Sequence, residues 1–426
     1  MARLDALPVE LLCEIFQYVH DTCESSNDLF NISLLGRKYY PVARDTLYKA
    51  PRLLQPKNTD GGEWYYRRRH QLRTLLRTII SQPHLAKQIC ELQMTVKLRS
   101  FRWTPRTPDE LCIVDFENEA VQSLPFVSAD WIARMRSGEE AATCALILSL
   151  VPSLRRLYLN TVEMRHTIAK DGDLFVSHDL EIYMYDWFNS LPGEFNTRAI
   201  AGLRNLLSIR TEGRYPSCLL NIPTIEVIEL GDSYHDLRFH ELTSSNVSSL
   251  RLHANHYPNM ALNAWQGWAY LTTKNIYSNL PCLYSLKTLH FIVTGSVGEI
   301  TLRNTYPRQR LPIVAPNLRT FIYDTRAVFH PSEVYIPRPS PIETCFTNLL
   351  QGFADANSAP QLERVEMWPG LYQGDTETAF ALPQTLRTWG DQFTMYTGDG
   401  NSLRRVQKEE DAMWPNRIMF LKNRVQ

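Results

Sequence analysis

Catalysis needs nucleophiles, bases or metal ligands at workable spacing, and these 426 residues offer few. His253 and His256 could share a metal ion, but no carboxylate or cysteine is placed to complete a ligand set, so no metal site is expected there. Gly295-Ser296-Val297-Gly298 has neither the lysine nor the spacing of a phosphate-binding loop and reads as a turn. A GxSxG elbow, a GxxxxGK loop, an HExxH pair and a GxGxxG fingerprint are all absent. Eight cysteines (Cys13, Cys23, Cys90, Cys112, Cys144, Cys218, Cys282, Cys345) lie at least ten residues apart with no CxxC pair, which suits reduced, mostly buried thiols. No catalytic residue, no metal and no cofactor is expected. What remains is contact chemistry. Arg156, Tyr158, Glu229, Arg251, His253, His290, Arg364, Glu366 and Trp368 alternate with apolar residues in a recurring pattern, and Tyr, Trp and Arg are types enriched where proteins bind proteins.

That pattern is an octad: proline, any residue, an aliphatic, two residues, an apolar, any residue, an apolar. It occurs at Pro152–Leu159, Pro223–Leu230, Pro316–Tyr323 and Pro360–Met367. Looser copies lie at Ile89–Met94, Val247–Leu252, Leu286–Phe291 and Leu386–Trp389, with a weaker one at Leu203–Ile209. Proline fixes its own φ and stops whatever precedes it. The alternation behind it has the period of a short strand with one buried face. One such strand cannot bury that face alone, whereas stacked copies build a continuous core. The octads resemble leucine-rich repeats, but at irregular intervals: 19 residues separate Leu206 from Ile225 and 65 separate Ile89 from Leu154. Several intervals must hold insertions, the longest being Ser100–Glu140. The resemblance places the polar alternates on the inner face of an irregular solenoid, where they would take a protein substrate.

Ahead of the octads, the first fifty residues read as three short amphipathic helices. Pro8 suits a helix first turn, and Glu10 sits near the positive end of its dipole. Leu11, Leu12, Ile15, Phe16 and Val19 make an apolar stripe too wide to leave exposed on one isolated helix. A second stripe runs from Leu29 to Leu35 and stops at Gly36, and a third starts near Pro41 and passes through Leu47-Tyr48. Leu-Pro-x-Glu-Leu-Leu-x-x-Ile-Phe at 7–16, the segment from Asp28 to Tyr40, and Ala43 with Leu47-Tyr48 resemble, in order, the three helices of an F-box. The resemblance implies that Leu7, Pro8, Leu11, Ile15, Leu29 and Leu34 face the small adaptor that bridges to a cullin. It implies a substrate-receptor subunit of an SCF-type cullin–RING E3 ubiquitin ligase, itself not an enzyme. The alternative is an F-box scaffold or binding protein that directs no degradation.

The expected fold class is α/β: an F-box at 3–53, a linker at 54–63 rich in Pro, Asn, Asp and Gly, and an irregular leucine-rich-repeat-like domain over 64–426. Trp64–Ser81 carries Leu72, Leu75, Leu76, Ile79 and Ile80 on one helical face, with Arg67-Arg68-Arg69-His70 reading as its solvated side. Lysine plus arginine equals aspartate plus glutamate, 45 each, so neither nucleic acid nor an anionic membrane is an expected partner. The longest nearly apolar run, Ala141–Val151, falls short of the roughly 20 residues of a membrane span and reads as a buried helix. Asp5, Glu10 and Glu14 interrupt the first apolar stretch, so no secretory signal is expected, and the cytoplasm or nucleus is the expected location.

Overall fold

A computed structural model of the chain describes residues 7–22, 31–32, 34, 36–53, 62–97, 129, 140–162, 200–212, 222–231, 246–255, 280, 283–296, 315–329, 359–368, 393–399, 402–405 and 417–422. It is a mixed α/β protein whose strands are mostly parallel, in two compact units, Met1–Thr224 and Ile225–Gln426. In the first unit β1 (Arg52–Leu53), β2 (Glu91–Lys97), β3 (Arg156–Val162) and β4 (Ser208–Glu212) pair in that order, all parallel. In the second, β5 (Val227–Leu230), β6 (Ser249–Asn255), β7 (Thr288–Ser296), β8 (Thr320–Phe329) and β9 (Arg364–Trp368) are likewise parallel neighbours.

Eight of the octad copies become β2 to β9; the Leu386–Trp389 copy lies outside the described residues. The octad opens as a β-turn. Leu154 N–H donates to the Val151 carbonyl, Leu318 to Ala315 and Leu362 to Ala359, so Pro152, Pro316 and Pro360 each occupy the second turn position, where a fixed φ is favoured. The strand that follows is locked to its predecessor by one carbonyl accepting two N–H groups. Arg155 accepts from Leu207 and Ser208, Ser248 from Lys287 and Thr288, Lys287 from Arg319 and Thr320, and Arg319 from Glu363 and Arg364. Side chains in the turn repeat the rule: Asn205 Nδ2 donates to the Pro152 carbonyl at 3.1 Å, and Asn317 Nδ2 to that of Tyr284 at 2.6 Å. Each copy buries its turn aliphatic and two strand residues, as Leu318, Phe321 and Tyr323 do in β8. In register these residues form continuous rows, Ile228–Leu250–Leu289–Phe321–Val365 among them.

At its start the sheet is joined to helices. α1 (Val9–Thr22) and α2 (Tyr39–Lys49) pack around Leu12, Phe16, Tyr39 and Ala43, with Leu7, Val19, Ile32, Val42 and Leu47 against that core. α2 begins at Tyr39, two residues before the proline at which the sequence suggests a start; Asn31, Ile32 and Leu34 are helical, as expected. Buried His20, near the end of α1, donates from Nε2 to the Ala50 carbonyl at 2.8 Å. The Lys49 carbonyl, at the end of α2, accepts from Cys90 N–H. The helical module thus stands where a preceding octad would stand. Of the expected linker, 54–61 lies outside the described residues, and Gly62 and Glu63 already belong to α3 (Gly62–Ser81).

α3 buries Leu72, Leu75, Leu76 and Ile79, and α4 (Pro83–Gln88) buries Leu85 and Ala86. α5 (Glu140–Leu150) is apolar on every side and buried on every side: Cys144, Ala145, Leu146, Ile147 and Leu148 all lie within the core. A 3₁₀ turn, Ala201–Leu203, sits on its end so closely that a Cβ on Gly202 would fall 2.3 Å from the Leu148 carbonyl oxygen. No side chain larger than hydrogen fits there. Among the described residues no helix is long and apolar enough to cross a membrane.

At the far end of the second unit the direction reverses. β12 (Arg417–Lys422) runs antiparallel to β9, β10 (Phe393–Asp399) antiparallel to β12, and β11 (Ser402–Arg405) antiparallel to β10. Lys422 N–H donates to the Glu363 carbonyl at 2.9 Å, and its ammonium donates to the Pro360 carbonyl at 3.1 Å. One residue thereby makes both contacts that the next octad and its turn side chain would make.

Candidate functional site

The N-terminal module has a core on one side of α1 and an uncovered apolar surface beside it. Leu12, Phe16 and Val19 recur at helical spacing and face inward, while Leu11, Ile15 and Tyr18 recur at the same spacing one residue earlier and face out. The broad stripe seen in the sequence is therefore two stripes side by side. Leu11 is 44% exposed, Ile15 38% and Leu34 69%. Of the other expected adaptor-facing residues, Pro8 is exposed, Leu7 packs against the module core, and Leu29 lies outside the described residues. Val9, Tyr18 and Tyr40 join the exposed set, and the sequence reading missed them. Six of the eight large exposed hydrophobics among the described residues fall between Val9 and Tyr40, so apolar exposure is concentrated in this module. The doubled stripe could have found Tyr18, since one helix face cannot hold both stripes; Val9 and Tyr40 lie outside it.

The outward strand face of the first unit carries Arg156 and Tyr158 on β3 with Gln93 and Arg210 as register partners of Tyr158. Arg156 Nη2 meets Glu91 Oε2 at 2.7 Å, and Gln93 Nε2 donates to the other oxygen of Glu91, also at 2.7 Å. Arg210 lies over the Tyr158 ring at 4.6 Å and holds Glu212 at 2.9 Å. Glu91, Gln93, Arg156, Tyr158, Arg210 and Glu212 are thus each held by a neighbour, which limits their rotamer freedom before any partner arrives.

On the outward face of the second unit the expected residues divide. Glu229, Arg251 and His253 come together: Glu229 Oε1 is 2.8 Å from His253 Nε2, and its Oε2 is 3.6 Å from Arg251. Arg364, Glu366 and Trp368 also come together, Glu366 pairing with Arg364 and accepting from Trp368 Nε1 at 2.8 Å. His290 lies edge-on to Trp368 with ring centres 5.4 Å apart, and its Nε2 is 3.6 Å from Asp324 Oδ2. Strand alternation places Glu366 and His290 on the open face, yet Glu366 is 1% exposed, and His290 and Asp324 are buried with it. Alternation fixes which way a side chain points, not what covers it. Around β9, then, the polar cluster is interior and Trp368 is half-buried over it.

No metal-ligating group of three His, Cys, Asp or Glu residues occurs among the described residues, and His256 lies outside them. Cys13 is exposed, Cys90 partly so and Cys144 buried, and all three are free thiols. No protein-family model matches the chain, and no curated protein matches it.

Proposed function

We propose that this chain is a substrate-receptor subunit of an SCF-type cullin–RING ubiquitin ligase, acting in the cytoplasm or nucleus. Its N-terminal helices would serve as an F-box that takes the adaptor, and its octads as an irregular leucine-rich-repeat-like solenoid that takes a target protein. The observation that carries the reading is the exposure of Leu11 and Ile15 along one side of α1, with Leu34 also exposed, beside the module core. Leu11, Ile15 and Leu34 are each partly exposed, so a partner that covers them gains a fraction of the about 1.5–3 kcal/mol that full burial of each would contribute. The chain's contribution to ubiquitin transfer is proximity: it holds a target lysine near the charged conjugating enzyme, and other subunits do the chemistry.

Co-expression of the full chain with adaptor and cullin tests this. A ternary complex is expected, and Leu11→Ala with Ile15→Ala should lower adaptor affinity on the order of tenfold or more, since a tenfold change corresponds to about 1.4 kcal/mol. Absence of a complex, or co-purification of the double variant at the wild-type level, overturns the reading.

A further inference from the structure

Lys49, Ala50 and Pro51 join the helical module to the sheet by turning successive carbonyls in opposite directions. Lys49 accepts from Cys90 N–H and Pro51 from Gln93 N–H, both at 3.0 Å, so the outer two carbonyls face the start of β2. The Ala50 carbonyl between them faces α1 and accepts from His20 Nε2 at 2.8 Å. Alternation of this kind is what extended backbone provides. The sequence supports it, because proline disfavours helix in the residue before it, and Ala50 leaves α2 at a φ of −143°.

The junction is enclosed, since His20, Ala50 and Pro51 are all buried. A buried carbonyl that loses its donor keeps its desolvation penalty. Removing the imidazole N–H therefore leaves the Ala50 oxygen unpaired, or makes the chain turn until water reaches it. The packing of α1 on α2 around Leu12 and Phe16 is non-directional, whereas this hydrogen bond has a direction. It ties α1 to the same three residues that β2 holds. β1 pairs with β2 before the chain reaches residue 54, so the junction precedes the expected linker.

We propose that His20 is a positioning residue: it latches α1 to the first repeat strands and so fixes the direction in which Leu11, Ile15 and Tyr18 face. The latch is a property of the chain alone. Its use rests on the reading of that stripe as the adaptor surface, since a receptor that works by proximity needs adaptor and target held at one spacing.

The test is double electron–electron resonance on the full chain with no partner added. Nitroxide labels are carried by ketone-bearing unnatural residues at two exposed positions, Glu14 on α1 and Arg155 beside β3. The wild-type chain should give one narrow distance distribution. His20→Leu should widen it on the order of twofold, as when a few hinge residues absorb a motion. His20→Gln, whose Nε2–H can replace the imidazole donor, should restore the narrow one. A His20 that only filled space would favour leucine over glutamine, the opposite order. Equal widths in wild type and His20→Leu, a wide wild-type distribution, or no narrowing in His20→Gln overturns the proposal. Should His20→Leu fold poorly, hydrogen exchange of the wild-type chain in rising urea decides. Segments 9–22 and 90–97 should open together, and opening of 9–22 while 90–97 stays protected overturns the latch. A latch found in a chain that binds no adaptor overturns the receptor reading and leaves the positioning role of His20 standing; adaptor binding by a chain whose α1 swings freely does the reverse.

Discussion

Helices α1 and α5 both carry more apolar residues than a single buried face needs, and the molecule treats the surplus in opposite ways. α5 is enclosed by α3, β2 and the 3₁₀ turn, so residues on all its sides disappear into the core. α1 spends Leu12 and Phe16 on its own module and leaves Leu11, Ile15 and Tyr18 in solvent. Surplus apolar surface costs nothing where the fold closes over it. Left open it costs roughly 25 cal/mol per Å² relative to burial, a standing gain for any molecule that covers it. The α1 surplus has the form of an address, that of α5 the form of a keystone.

Substitutions at adjacent residues would break or sharpen that contrast. Leu12→Ala should cost the most, about 2–5 kcal/mol, because it empties a fully buried site in a small core. Urea denaturation of the full chain reads it, and a loss under about 0.5 kcal/mol would mean the module contributes little to the cooperative unit. Gly202→Ala should come next, at about 1–3 kcal/mol, since its methyl group meets the Leu148 carbonyl rather than a movable side chain. A neutral result at Gly202 would show that the end of α5 can shift. Asn317→Ala removes one copy-to-copy hydrogen bond and should cost about 0.5–1.5 kcal/mol, measured the same way. Leu11→Ala should be nearly silent in stability, within about 0.5 kcal/mol, while weakening adaptor binding by isothermal titration. If Leu11→Ala proved as destabilising as Leu12→Ala, the two stripes of α1 would be one core.

The strands were legible because a period-2 alternation marks every copy, and in the four exact octads a proline that suits one turn position coincides with it. The buried helix at Ala141–Val151 was legible because it lacks a polar face altogether. Three things were not. The sequence shows Leu11 and Leu12 as equally apolar, and only the fold decides which one is enclosed. It shows Glu366 and His290 pointing away from the core, but not that Arg364 and Trp368 close on Glu366 or that Asp324 and Trp368 lie against His290. It gives no sign that β10, β11 and β12 reverse direction, because antiparallel pairing there is set by chain return rather than by residue type. The candidate site divides accordingly: Pro8, Leu11, Ile15 and Leu34 are exposed, whereas Glu366 and His290, expected on an open face, are buried.

Lys422 bears on how such an array can change in length. Its N–H and its ammonium occupy the two carbonyls, Glu363 and Pro360, onto which a tenth-style extension of the parallel series would have to hook, and they do so from a strand running the other way. At the opposite end the Lys49 carbonyl is already committed to Cys90. The series of the second unit is thus capped beyond β9 by Lys422. Within either unit, a duplicated octad spliced between two existing copies would find donors on one side and an acceptor on the other, because the described junctions there obey the same bonding rule. An addition beyond β9 would first have to displace Lys422, whereas one between two copies of a unit needs no new kind of bond.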